Sequence, residues 1–118
     1  MPIRKFALLL ASMAAVYAPG VLADCSGLLC QSVYIQSLNA ESGELATNDD
    51  IWVQTTGAET ALSCTPNSGA WLKLDGDSTR KKEVYALLLM AFSMDKPISI
   101  RIVDNSTDCL IAYAYMTR

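Results

Sequence analysis

The stretch Glu83–Ile102, EVYALLLMAFSMDKPISIRI, carries two hydrophobic periods back to back. From Lys81 to Met94 the chain is rich in helix formers and has neither Gly nor Pro, which predicts a helix. Val84, Leu87, Leu88 and Ala91 fall at i, i+3, i+4 and i+7, so they form one apolar stripe for a core. Ser78 or Asp77 is the expected N-cap, and Asp95-Lys96-Pro97 ends the helix. Ile98, Ile100 and Ile102 then alternate with Ser99 and Arg101, the period-2 pattern of a half-buried strand. A helix that feeds straight into a strand is the anchor for placing everything else.

Downstream, Asp104 to Asp108 reads as a polar turn, and Cys109 to Met116 as a last strand rich in Tyr and Ile/Leu. Upstream, Ala61 to Cys64 and Ala70 to Leu74 read as two parts of one strand, interrupted by a turn or bulge at Pro66-Asn67-Ser68-Gly69. Ile51 to Thr56 has high β propensity and stops at Gly57. Residues 31–38, around Val33-Tyr34-Ile35, form the first predicted strand. Between the first two strands, Asn39 to Asp50 is polar and reads as a loop or a loosely paired extension. The order is three strands, one helix, two strands. That is the order of the OB-fold, a five-stranded Greek-key barrel, and predicts an all-β protein with one helix. The competing architecture is an α+β antiparallel sheet packed on the helix. Closure into a barrel leaves no edge strands exposed, which suits a short apolar chain.

The N-terminus sets the compartment. Met1 to Lys5 is short and basic, Phe6 to Tyr17 is apolar, and Val21-Leu22-Ala23 places small residues before a cleavage point. This is the layout of a secretory signal peptide spanning residues 1–23, leaving 24–118 as a single domain. The apolar run is shorter than the ~20 residues of a spanning helix, so a signal anchor is the less favoured reading. Asp24 before Cys25 is unlike the small neutral residue that precedes a lipidated cysteine. Removing 23 of 118 residues leaves 95, and losing Arg4 and Lys5 moves the net charge from −3 to −5. An acidic chain lacks the basic footprint that nucleic acid requires. With 52% hydrophobic and 18% charged residues, the chain is too apolar for disorder.

All four cysteines, Cys25, Cys30, Cys64 and Cys109, follow the predicted cut. An even count in a short exported chain reads as a disulfide framework with three possible connectivities. Cys25–Cys30 with Cys64–Cys109 is favoured, because the first two lie close together and the second two join distant strands. Closing the longer loop is worth about 4 kcal/mol on the chain-entropy model, against about 2 for the shorter. A zinc site is disfavoured by the absence of Cys-x2-Cys spacing and of any His. The expected location is the periplasm or the medium.

The segment Glu83–Ile102, flanked by Cys64 and Cys109, resembles small exported bacterial OB-fold proteins, among them the pentameric sugar-binding B subunits of two-component toxins. The resemblance rests on element order and pattern over about two thirds of the mature chain, with no sugar-binding motif. It implies the barrel fold and a binding role, and transfers no site residue.

Catalysis finds little support. With no His and with oxidised cysteines, a serine or cysteine nucleophile lacks its usual base. Asp49-Asp50 and Asp75/Asp77 read as solvated loop acids or a helix cap, and the Asp75-Gly76-Asp77 run lacks the ligand spacing of a calcium loop. Asn105-Ser106-Thr107 reads as a turn, and Arg80-Lys81-Lys82 as a solvated helical start. No metal and no cofactor is expected. The aromatic residues carry more. On alternation, Trp52 lies opposite Ile51 and Val53, and Trp71 opposite Leu72 and Leu74. The two indoles then form an outward platform on the second and third strands, the face on which OB-folds bind ligands. Tyr34 is expected to extend it; a shift of register would instead turn both tryptophans into the core. On the helix, Tyr85, Leu89 and Phe92 form a second apolar stripe, expected to meet another subunit in a homo-oligomer. The functional expectation is an exported, non-catalytic module that binds a glycan or a protein. The alternative is a structural or inhibitory protein that occludes a partner enzyme.

Overall fold

The structure is a computed structural model describing residues 24–41 and 49–118; the expected signal peptide lies outside the described residues. Among the described residues seven strands and one α-helix follow in order. They are β1 (Asp24–Ser26), β2 (Leu29–Val33), β3 (Ile35–Ala40), β4 (Ile51–Thr55), β5 (Leu72–Leu74), α1 (Lys81–Met94), β6 (Ile98–Ile102) and β7 (Ile111–Tyr115). Two antiparallel sheets result, β1-β2-β6-β7 and β3-β4-β5. The protein is thus mostly β with one helix, but it has seven strands rather than five, and the strands form two sheets rather than one closed barrel.

The difference begins at Tyr34, where the predicted first strand divides. Ser32 has φ 50°, so the chain turns out of the plane of one sheet and into the other. β2 then pairs with β6 while β3 pairs with β4, and both ladders shift register beside the break. Side chains replace the ladder bonds that the bend removes. The Ser32 N–H donates to Ser99 Oγ at 3.0 Å, and the Tyr34 N–H donates to Thr56 Oγ1 at 3.0 Å. A second departure is β1, which no hydrophobic pattern announces. It folds back on β2 through Gly27 at φ 59° and sets Cys25 directly opposite Cys30.

The third departure lies before β5. Ala61 to Cys64 was expected to begin that strand, yet Glu59–Ala61 is a 3-10 turn and the strand starts only at Leu72. The buried Glu59 carboxylate causes it. Its Oε1 accepts the Thr55 N–H at 2.8 Å and the Thr55 hydroxyl at 3.0 Å, bending the chain back on the end of β4. Gly57 allows this bend to pass close to β1, because a Cβ there would lie 2.6 Å from Cys25 Sγ.

The core lies between the sheets and α1. Val53, Leu72, Leu74, Leu88, Ile100 and Ile102 are fully buried, each worth about 1.5–3 kcal/mol of burial. On α1, Val84, Leu88 and Ala91 are buried, as the stripe required, and Leu87 packs partly against them. Neither Ser78 nor Asp77 caps the helix: it begins after Arg80 without a side-chain cap. The Asp75 carboxylate takes the Asp77 N–H at 3.0 Å, forming a turn ahead of the helix instead. At the other end Asp95 is left-handed at φ 51° and its N–H reaches the carbonyls of Ala91 and Phe92, closing the helix before Pro97.

Sheet meets sheet between β5 and β7. The Lys73 N–H is shared by the carbonyls of Asp108, at 3.1 Å, and Cys109, at 3.2 Å. Parallel bridges link Lys73 to Leu110 and Thr65 to Thr107. The disulfides are Cys25–Cys30 and Cys64–Cys109, the favoured pairing, and the second spans this junction. Replacing Cys64 and Cys109 together by Ala is expected to lower unfolding free energy by roughly 2–5 kcal/mol. Denaturant titration of the oxidised double variant measures it; a loss well below 1 kcal/mol would show that the junction holds without the bond.

Candidate binding cleft

The outer face of β3-β4-β5 is built by strict alternation. Ile51, Val53 and Thr55 of β4 are buried while Trp52 and Gln54 are only half-buried, so Trp52 leaves the core side. Leu72 and Leu74 of β5 are likewise buried, and Lys73 and the preceding Trp71 are half-buried. The register then sets Asn39, Trp52 and Lys73 side by side across three strands. Glu41 lies two residues beyond Asn39, and its N–H bonds to the Asp50 carbonyl at 3.0 Å, which carries the β3–β4 ladder one step further.

Trp71 is placed by the turn ahead of it. Asn67 and Trp71 exchange two backbone hydrogen bonds of 3.0 Å, and Ser68 and Gly69 between them have φ 52° and 73°. The Pro66-Asn67-Ser68-Gly69 run is therefore a tight turn that delivers Asn67 beside Trp71. Asn39, Glu41, Trp52, Asn67 and Trp71 together line one open cleft of about 190 Å³. The structure brings the two tryptophans of the sequence reading to a single site. Tyr34 is not part of it. It is exposed and sits where the chain crosses between sheets, beside the Ile35–Thr55 end of the ladder, with Asn39 and Trp52 toward the other end.

The cleft's polar groups divide into committed and uncommitted ones. The Lys73 ammonium lies 5.8 Å from the Trp52 ring centroid and 3.8 Å from Asp108 Oδ2. Asp108 Oδ1 accepts from the Asn67 amide at 3.3 Å, and the Asn67 carbonyl oxygen accepts from Ser68 Oγ at 3.2 Å. Lys73, Asp108 and Asn67 thus form one network along the rim. Among the described residues the Glu41 carboxylate takes part in no ion pair or side-chain hydrogen bond. Among the described residues Trp52 Nε1 is buried with no hydrogen-bond partner, while the residue itself lines the cleft.

Asn39, Glu41 and Asn67 were not singled out in the sequence. The period-2 spacing of Asn39 and Glu41 was readable, but β3 was expected to stop at residue 38, short of both. In the sequence Asn67 reads only as a turn residue. The helix stripe divides in the structure: Tyr85 is half-buried against the core, whereas Leu89 and Phe92 are 42% and 45% exposed. Next to them, Met90, Met94 and Met116 line a larger groove of about 500 Å³. Among the described residues no helix is long and apolar enough to cross a membrane, and no group of three His, Cys, Asp or Glu is placed to hold a metal ion. Comparison with protein-family models, with curated proteins and with solved structures finds no match to the chain.

Replacing Asp108 by Ala removes the acceptor of Asn67 and the counter-charge of Lys73 in one step. The expected cost is about 1–2 kcal/mol, typical of a partly exposed charged hydrogen-bonding group. A changed tryptophan emission in the folded state should accompany it. An unaltered spectrum would mean that the rim network does not position Trp52 and Trp71.

Proposed function

We propose that the chain is an exported, non-catalytic binding module of OB-like architecture that takes a glycan or a protein ligand in the Trp52/Trp71 cleft. The observation that carries this reading is the convergence of two indoles and two carboxamides on one open cleft. Indole faces stack on the apolar faces of sugar rings or on apolar side chains, and carboxamides supply paired donors and acceptors for hydroxyls. The OB-like reading takes β2 and β3 as one bent first strand and β4, β5, β6 and β7 as the remaining four. The parallel bridge of Lys73 to Leu110 supports joining the third of these to the fifth. On that reading the cleft lies on the second and third strands, with Glu41 from the first connecting loop and Asp108 from the last at its edge, where OB-folds take ligands. The two disulfides support an oxidising compartment, periplasmic or extracellular.

The exposed helix face favours a second contact. Leu89 and Phe92 stand out from α1 beside Met90 and Met94, all exposed, and such a patch is a common docking surface. Its occupant is a second copy of the chain in a homo-oligomer or, on the alternative reading of an occluding protein, a partner enzyme.

Trp52→Ala or Trp71→Ala is expected to weaken ligand binding roughly 5- to 150-fold, the equivalent of about 1–3 kcal/mol at a hot spot, while the fold survives. Screening the oxidised chain on a glycan array and by pull-down from periplasm or medium identifies the ligand, and titration of the two variants tests the site. Unfolding of either variant would return its tryptophan to a structural role. For the helix face, sedimentation should find a self-associated species that Leu89→Ser with Phe92→Ser reduces to monomer; a monomer at about tens of micromolar would argue against self-association.

A further inference from the structure

The reading of the cleft as a binding site leaves its charge unexplained. Among the described residues three acidic or basic side chains stand at or beside it: Lys73, Asp108 and Glu41. Lys73 and Asp108 answer each other at 3.8 Å, with side chains only 18% and 27% exposed. Glu41 lines the cleft itself and is matched by no cation among the described residues. The cleft is therefore lined by two tryptophans and by one carboxylate that, among the described residues, has no counter-charge. The Lys73 ammonium, 5.8 Å from the Trp52 ring centroid, is not among the groups that line the cleft.

We propose, building on that reading, that the cleft selects a ligand bearing an ammonium group, with Glu41 as the residue that sets this preference. An ammonium over an indole is drawn to the negative face of the ring, and the attraction grows as water is excluded. A carboxylate beside it adds charge attraction and, for a primary ammonium with N–H groups to donate, a charge-assisted hydrogen bond as well. The same carboxylate repels acidic ligands such as uronic or other carboxylated sugars, which gives selection as well as affinity. The net charge of the whole chain, −3, adds a longer-range bias in the same direction. The ammonium has two sources: the free amine of an amino sugar, or the quaternary ammonium of a choline headgroup.

The test uses the full oxidised chain and titrates tryptophan fluorescence with four probes: a glucosamine oligosaccharide with free amines, its N-acetylated counterpart, a uronic-acid oligosaccharide, and phosphocholine. The free-amine oligosaccharide should bind more tightly than the N-acetylated and uronic-acid probes by roughly 10- to 100-fold, the usual worth of a hydrogen bond to a charged group, and phosphocholine, which has no N–H to donate, by roughly 2- to 30-fold, the worth of a cation over an indole. Which of the two prevails names the source. Added salt should weaken that binding. Glu41→Gln should erase the preference and Glu41→Lys should invert it toward the uronic-acid probe. Tighter binding of the N-acetylated or uronic-acid probe by the native chain, or a preference untouched in Glu41→Gln, overturns the proposal while leaving the cleft as a binding site. Silence from all four probes, with glycan-array binding still sensitive to Trp52→Ala, also overturns it and spares the cleft. Array binding insensitive to both tryptophans removes the cleft itself.

Discussion

Each of the two sheets ends in a strand that needs a partner, β5 in one and β7 in the other, and the junction between them governs the rest of the molecule. An exposed edge leaves backbone donors and acceptors open to any passing strand. Here the Lys73 N–H is taken by two carbonyls of the loop before β7, and the Cys64–Cys109 bond ties the approach to β5 to that same loop. The loop is strained to make the meeting: Asn105, Asp108 and Cys109 all have positive φ, at 54°, 62° and 46°. Such conformations persist only where surrounding bonds hold them. Ser106 helps, its Oγ accepting from Leu110 N–H at 2.9 Å and donating to the Val103 carbonyl at 2.6 Å.

The cleft inherits its geometry from this junction. Asp108 sits on the strained loop, and its carboxylate reaches both Asn67 on the turn before β5 and Lys73 within it. One side chain thus aligns the turn that carries Trp71 with the strand that flanks Trp52. The backbone bonds that join the sheets and the side-chain bonds that shape the cleft share the same few residues. Rigidity in the fold therefore pre-organises the cleft, which would lower the ordering cost of binding the proposed ligand.

Much of this was legible in the chain, for reasons of period. The 3.6-residue spacing of Val84, Leu88 and Ala91 and the 2-residue spacing of Ile98, Ile100 and Ile102 report directly on which side faces the core, and those residues are buried. The alternation of Ile51, Trp52 and Val53 reports in the same way. What escaped was decided by single polar contacts with no period. The split at Tyr34 depends on Ser99, 67 residues away from the Ser32 N–H it accepts. The 3-10 turn depends on Glu59 reaching back to Thr55, and the missing helix cap on Asp75 turning its carboxylate toward Asp77 instead.

The amino-acid sequence by itself determined the elements with strong hydrophobic periods and a cysteine set suited to two bonds, and it raises the expectation of an export signal over residues 1–23. These are local or compositional properties, because burial of one face repeats every few residues and leaves a written trace. Only the tertiary structure decided that the first strand serves two sheets and that Asn39, Glu41 and Asn67 join the two tryptophans in one cleft. It also decided that Lys73 spends its charge on Asp108 while Glu41 meets no cation among the described residues. Those outcomes depend on which distant groups arrive within a few ångströms of one another. Hydrogen bonds and charges act at that range, and no repeat along the chain records it.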